Sequence, residues 1–150
     1  MGSMRAEPSV IHAVADERMR SVGQLYTKGR RELVELLAGF GRPATIPELL
    51  ELRPRLTQSS MYRNMVDLES VGIVQKVVGT DDRARFELAE HLIGHHHHSI
   101  CTKCGAVDDF VVPARVERSL EAALEKALVD SGFRPTGHRL DVIGVCPACA

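Results

Sequence analysis

All four cysteines of this chain lie in its second half, as two pairs of equal spacing: Cys101/Cys104 and Cys146/Cys149. Two C-x-x-C turns can fold toward each other and surround one zinc ion with four thiolates, a closed and therefore structural site. The competing chemistry is a pair of redox dithiols or free buried thiols. Both pairs have ligand spacing and no cysteine is left over, which favours zinc. Just ahead of the first pair stands His95-His96-His97-His98. Alternate residues of a strand point to opposite faces, so His95 and His97 are expected on one side and His96 and His98 on the other. One short segment would then serve two metal sites. A solvated polar loop is the plain alternative, and adjacency to Cys101 weighs toward metal. Other ligand types lie at Glu87 and His91 before the tract and at Glu117 and His138 beyond it. Taken singly, these read as ordinary strand and helix residues, and His12 is left with an ordinary reading too.

A second chemistry belongs to Thr57-Gln-Ser59-Ser60-Met-Tyr62-Arg63-Asn64. Small hydroxyl residues at a helix start, followed by Tyr62 and Arg63, can contact the phosphates and base edges of double-stranded DNA. An amphipathic helix with an exposed Tyr-Arg pair is the plain reading, as an ordinary charged face is for Arg30 and Arg31.

These residues need elements to hold them. Residues 10–21 read as a weakly periodic helix. Thr27 is placed to cap a helix running to about Ala38, and Ile46 to Leu52 reads as a short helix. Thr57 caps another, with Met61, Met65, Leu68 and Val71 at helical spacing. Ile73–Val78 and Arg83–Leu88 read as a hairpin around Gly79-Thr80-Asp81-Asp82. Helices followed by a hairpin give the winged-helix order, whose last helix enters the major groove. In the second half, His98–Cys101 and Ala106–Val112 read as strands, Pro113 starts a helix, and Thr136–Val145 reads as a last strand. The expected fold is α+β: a winged helix-turn-helix over 4–88, a hinge over 89–94, and an α/β metal-binding dimerisation domain over 95–150 with its four-cysteine zinc site.

Hydrophobic content of 44% and charged content of 26% suit a folded globular chain and argue against wholesale disorder. The first 85 residues hold 13 Lys and Arg against 11 Asp and Glu, a slight basic excess that permits a DNA-binding half. No run approaches the ~18 apolar residues of a membrane span. No signal peptide is evident, so a cytoplasmic, reducing compartment is expected and no membrane partner. Met1-Gly2-Ser3 reads as a cloning remnant ahead of Met4.

Taken together, the motifs resemble the ferric uptake regulator family of bacterial metalloregulators over roughly residues 22–149. Thr27-Lys-Gly-Arg30 is similar to its Thr-x-Gln-Arg segment, and Ser60-Met-Tyr62-Arg63 to the Thr-Val-Tyr-Arg of its recognition helix. Phe86-Glu87-Leu88, the histidine tract, Cys101-x-x-Cys104-Gly, His138 and Cys146-x-x-Cys149 follow in the family's order. The resemblance implies structural Zn2+ at the four cysteines, a dimerisation-domain site of His95, His97, Glu117 and His138, and a regulatory Zn2+ or Fe2+ site at His96 and His98. Glu87 and His91 compete to complete the last, with His91 favoured. It implies DNA contacts at Arg30, Ser59, Ser60, Tyr62, Arg63 and Asn64. The sequence also departs from the pattern. Leu25 replaces a frequent basic residue and Gly29 the usual glutamine. Gln75 or Pro43 stands near where some members supply a ligand from the winged helix.

The expectation is therefore a non-enzymatic homodimer that represses metal-uptake genes at palindromic operators when metal is bound, with zinc favoured. Iron, manganese, nickel or peroxide sensing are alternatives within the family, and zinc storage or delivery is an alternative of another class. A zinc hydrolase would need an open metal position and a general base, and no H-E-x-x-H motif is present.

Overall fold

A computed structural model describes residues 6–52 and 54–150; the Met1-Gly2-Ser3 reading lies outside them. Four helices lead the chain: α1 (Pro8–Ser21), α2 (Lys28–Phe40), α3 (Ile46–Glu51) and α4 (Gln58–Ser70). Their starts follow from capping hydroxyls, each accepting an otherwise orphan amide. Thr27 accepts from the Arg30 amide, Thr57 from the Ser60 amide, and Thr45 forms a reciprocal capping box with Glu48. Gly41 ends α2 in the left-handed conformation at φ +76°.

The antiparallel hairpin β1 (Val74–Val78) and β2 (Ala84–Leu88) follows, in the register Val74 to Leu88. Phe86 and Leu88 face the helices and join the main core with Leu33, Met61, Met65 and Leu68. Ala44 pairs with Phe86 and extends the hairpin by one bridge. The other face of β2 carries Arg85 and Glu87, and these too are buried, because the second half of the chain covers them. Strand alternation therefore aims Glu87 away from the helical core.

A short helix α5 (Glu90–Ile93) leads into a three-stranded sheet of order β4-β3-β5, with β3 His97–Cys101, β4 Val107–Phe110 and β5 Asp141–Gly144. β4 is antiparallel and β5 parallel to β3. Helix α6 (Ala114–Leu128) connects β4 toward β5. The last strand is shorter than the expected Thr136–Val145. Only Asp141–Gly144 lies alongside β3 as strand; residues 136–140, which contain Gly137, precede the ladder, with the Leu140 carbonyl accepting from the His98 amide at 3.3 Å.

The two halves differ in how much they bury. The first has a continuous core, whereas the second contributes only Ile100 and Val107, packed with Val77 of β1, to a small cluster. Helix α6 buries no residue, and β5 is exposed along its whole length. Because Leu68 is fully buried on α4, Leu68→Ala should cost ~2–5 kcal/mol of stability, read as a lowered midpoint in urea unfolding.

Candidate metal centres and nucleic-acid interface

Three clusters of ligand-type side chains form among the described residues, each with its donor atoms within 4.8 Å of one another. The first is Cys101, Cys104, Cys146 and Cys149. The Sγ atoms of Cys104 and Cys146 are 3.7 Å apart. That matches the sulfur spacing of ~3.8 Å expected around tetrahedral zinc with Zn–S bonds near ~2.3 Å. The Cys146 amide donates to Cys101 Sγ and lowers its thiol to about 6, whereas hydrogen bonding with Cys104 and Cys146 pushes Cys149 up to about 12. Four crowded thiols resist ionising together, and a bound cation removes that resistance.

The second cluster is His95, His97, Glu117 and His138. Glu117, in the first turn of α6, lies 3.0 Å from His95 Nε2, 2.9 Å from His97 Nε2 and 2.6 Å from His138 Nε2. The His138 contact lacks hydrogen-bond geometry, so its ring nitrogen and the carboxylate converge on one space, as ligands do around a cation. Glu90 of α5 touches the other ring nitrogen of His95.

The third cluster is Glu87, His96, His98 and Asp109. Glu87 arrives from β2, His98 from β3, His96 from the position just ahead of β3, and Asp109 from β4. The Glu87 carboxylate is 3.1 Å from His96 Nε2 and 3.0 Å from His98 Nε2, and it accepts from Gln75 Nε2 at 2.6 Å. Burial opposes its charge, but the hydrogen bonds from His96, His98 and Gln75 prevail and hold it at about 2. The Glu87 bond raises His96 to about 9 against the pull of burial. This donor set of two imidazoles and two carboxylates suits a divalent transition metal.

His91 lies apart from this cluster. α5 turns His91 onto an exposed face, outside the cluster, and Glu87 meets the two histidines instead. Asp109 went unread in the sequence. Its signal is the antiparallel register that sets it opposite His98, and a register is not visible before the strands are paired. Gln75 fills the side from which a winged-helix ligand was sought, but as a hydrogen-bond donor to Glu87.

Around α4, the buried face is Met61, Met65 and Leu68, and the outer face shows Ser59, Tyr62, Arg63 and Val66. Ser60 and Asn64 are half-buried, Ser60 within hydrogen-bond distance of the Thr57 cap. Arg30 is engaged within the fold: its guanidinium pairs with Asp67 at 2.6 Å, donates to Gln24 and the Leu25 carbonyl, and is 11% exposed. It ties α2 to α4 and does not point outward as the DNA-contact expectation requires. Gly29 has a steric cause: a Cβ there would meet Leu56 at 2.9 Å and Asn64 at 3.4 Å.

The ferric uptake regulator family model matches residues 21–143. The chain belongs to the ferric uptake regulator family. Its members are DNA-binding transcriptional regulators and not enzymes. The peroxide-responsive repressor PerR of Staphylococcus epidermidis is 27% identical over 135 residues, covering 87% of this chain and 85% of that protein. A zinc-bound manganese uptake regulator matches with TM-score 0.65 at 28% identity, over 91% of this chain and 98% of the other. The Helicobacter pylori ferric uptake regulator shares the fold with TM-score 0.78 at 21% identity, over 99% and 97%. No described helix is long and apolar enough to cross a membrane.

In the metal-free protein, the Glu87–His96 bond should tune stability with pH. His96, raised from 6.5 to about 9, contributes fully below pH 6.5 and loses that contribution as pH climbs toward 9. Glu87, depressed from 4.5 to about 2, contributes fully above pH 4.5 and loses it as pH falls toward 2. Thermal unfolding of the metal-free protein should therefore show the pair's greatest support between these windows, and Glu87→Gln should flatten the profile.

Proposed function

We propose that the protein is a cytoplasmic, metal-dependent transcriptional repressor that acts as a homodimer on double-stranded DNA. The observation that carries this reading is the third cluster. Glu87 belongs to the winged-helix hairpin, while His96, His98 and Asp109 belong to the sheet half, so one metal there would draw the two halves together. The boundaries that fit are 4–88 for the DNA-binding unit, 89–94 for the hinge and 95–150 for the dimerisation unit. When bound, the metal supplies a shared electrophilic centre for the two carboxylates and two imidazoles. It would favour the DNA-competent orientation by its differential affinity for that state, and DNA would reciprocally tighten metal binding.

The dimer is supported by what one chain leaves uncovered. Phe133, Val142, Ile143 and Val145 are 62%, 48%, 55% and 48% exposed, beside a helix with no buried residue. An apolar surface of this kind is covered by a second copy in a twofold assembly. For DNA, the exposed Ser59, Tyr62 and Arg63 of α4 are the residues offered to a major groove, with Ser60 and Asn64 at its margin. A storage or delivery role would leave that face without use.

Structural Zn2+ is assigned to the four cysteines and a further cation to His95, His97, Glu117 and His138. At the regulatory cluster the sequence favours zinc. The second carboxylate, Asp109, and the lack of a sulfur ligand broaden the fit to Fe2+ and manganese. Peroxide response through bound Fe2+ is the second reading, favoured by this histidine–carboxylate set and by the likeness to a peroxide-responsive repressor.

The test is a mobility shift at fixed salt on promoter fragments of the host's metal-uptake and peroxide-defence genes. The protein keeps its cysteine-bound zinc while zinc, ferrous iron, manganese and nickel are titrated separately. One metal should induce saturable binding, and His96→Ala/His98→Ala should abolish the induction. Tyr62→Ala/Arg63→Ala should weaken DNA binding by ~10-fold or more without changing metal affinity, a loss comparable to one or two direct contacts. Under the second reading, peroxide should release DNA from the iron form and not from the manganese form. A folded dimer with no metal-dependent DNA binding would overturn the repressor reading in favour of storage or delivery.

A further inference from the structure

The tip of the β1–β2 hairpin rests on the Cys101–Gly105 turn, through contacts that neither chelation nor the DNA-facing helix requires. Thr80 Oγ1 donates to the Cys101 carbonyl at 2.8 Å. Asp81 lies directly over Gly105: a Cβ on that glycine would fall 2.2 Å from Asp81 Oδ2. Gly105 also has φ +73°, so the turn needs a glycine for its backbone as well as for the fit. Gly79 approaches the same place, where its Cβ would be 3.2 Å from the Gly105 carbonyl oxygen. Beneath the tip, Val77 packs with Ile100 and Val107.

The tip is itself braced. Arg85 is 5% exposed and donates to both Asp81 carboxylate oxygens, at 2.8 and 2.9 Å.

We infer that the Cys101–Gly105 turn is the docking surface for the hairpin tip, so that the cysteine site sets the orientation of the DNA-binding half together with the regulatory cluster. The inference rests on the repressor reading for its DNA consequence only. One attachment at Glu87, on β2, leaves the hairpin free to swing about it. A second attachment at Thr80 and Asp81 removes that freedom. The docking surface exists only while Cys101 and Cys104 are held in their turn, which couples it to zinc at the four cysteines.

The experiment uses the full-length protein loaded with zinc at the cysteine site, as wild type, Gly105→Ala and Thr80→Val. Amide hydrogen exchange over residues 77–83 is measured alongside operator binding at saturating regulatory metal. Zinc content and dimer mass serve as checks. Both variants should exchange faster over 77–83 and bind operator roughly three- to tenfold more weakly, the scale of one lost hydrogen bond. Thr80 supplies no metal ligand, so Thr80→Val decides the matter if Gly105→Ala fails to retain zinc. Unaltered exchange over 77–83 would overturn the docking. Faster exchange with unaltered operator affinity would overturn the coupling. If wild type shows no metal-dependent operator binding, the repressor reading fails by itself, and the exchange data still decide the docking.

Discussion

A buried carboxylate must be compensated, and the arrangement of this protein turns on how Glu87 is. The residue is 3% exposed and meets two imidazoles and an amide donor. Removing a lone carboxylate from water is strongly unfavourable, so the charge holds β2, β3 and His96 just ahead of β3 in one arrangement. In the metal-free state His96 answers that charge by holding its proton, which is why its value rises to about 9. A metal cation and that proton compete for the same nitrogen. On the proposed reading, metal binding and protonation are thus alternative states of one electrostatic problem.

The same hairpin mediates everything else. One face of β2 completes the helical core with Phe86 and Leu88, and the other carries Arg85 and Glu87 toward the sheet half. A strand buried on both faces has no slack, so a change on one side is transmitted rather than absorbed. The helical half is held by ordinary apolar packing. The sheet half has almost none of its own, with α6 and β5 uncovered in the single chain. On the proposed reading, the metal centres and a second copy supply what it lacks, as in other small domains that cannot bury a sufficient core.

Much of this was legible in the residues because the signals are local. Thr27 and Thr57 cap where hydroxyls are expected to, and the spacing of Met61, Met65 and Leu68 shows which face of α4 is inward. The alternation of the four histidines separates His95 and His97 from His96 and His98, although only the last two of the tract lie within the strand itself. The overlong last strand shows the limit of such reading. Residues 136–145 have strand-like composition in part, but a strand needs a neighbour, and only Asp141–Gly144 runs beside β3.

Composition and spacing by themselves determined the helices, the hairpin, the paired cysteine turns and the two-sided histidine tract, since each depends on residues within a few positions of one another. Tertiary structure alone decided which distant groups join them. Glu87 rather than His91 meets His96 and His98, because α5 turns His91 outward. Asp109 enters because antiparallel pairing sets it against His98. Arg30 turns inward to Asp67 because α2 and α4 pack closely at Gly29. In each case the deciding quantity is a distance between segments far apart in the chain, and that distance is set by packing and strand register.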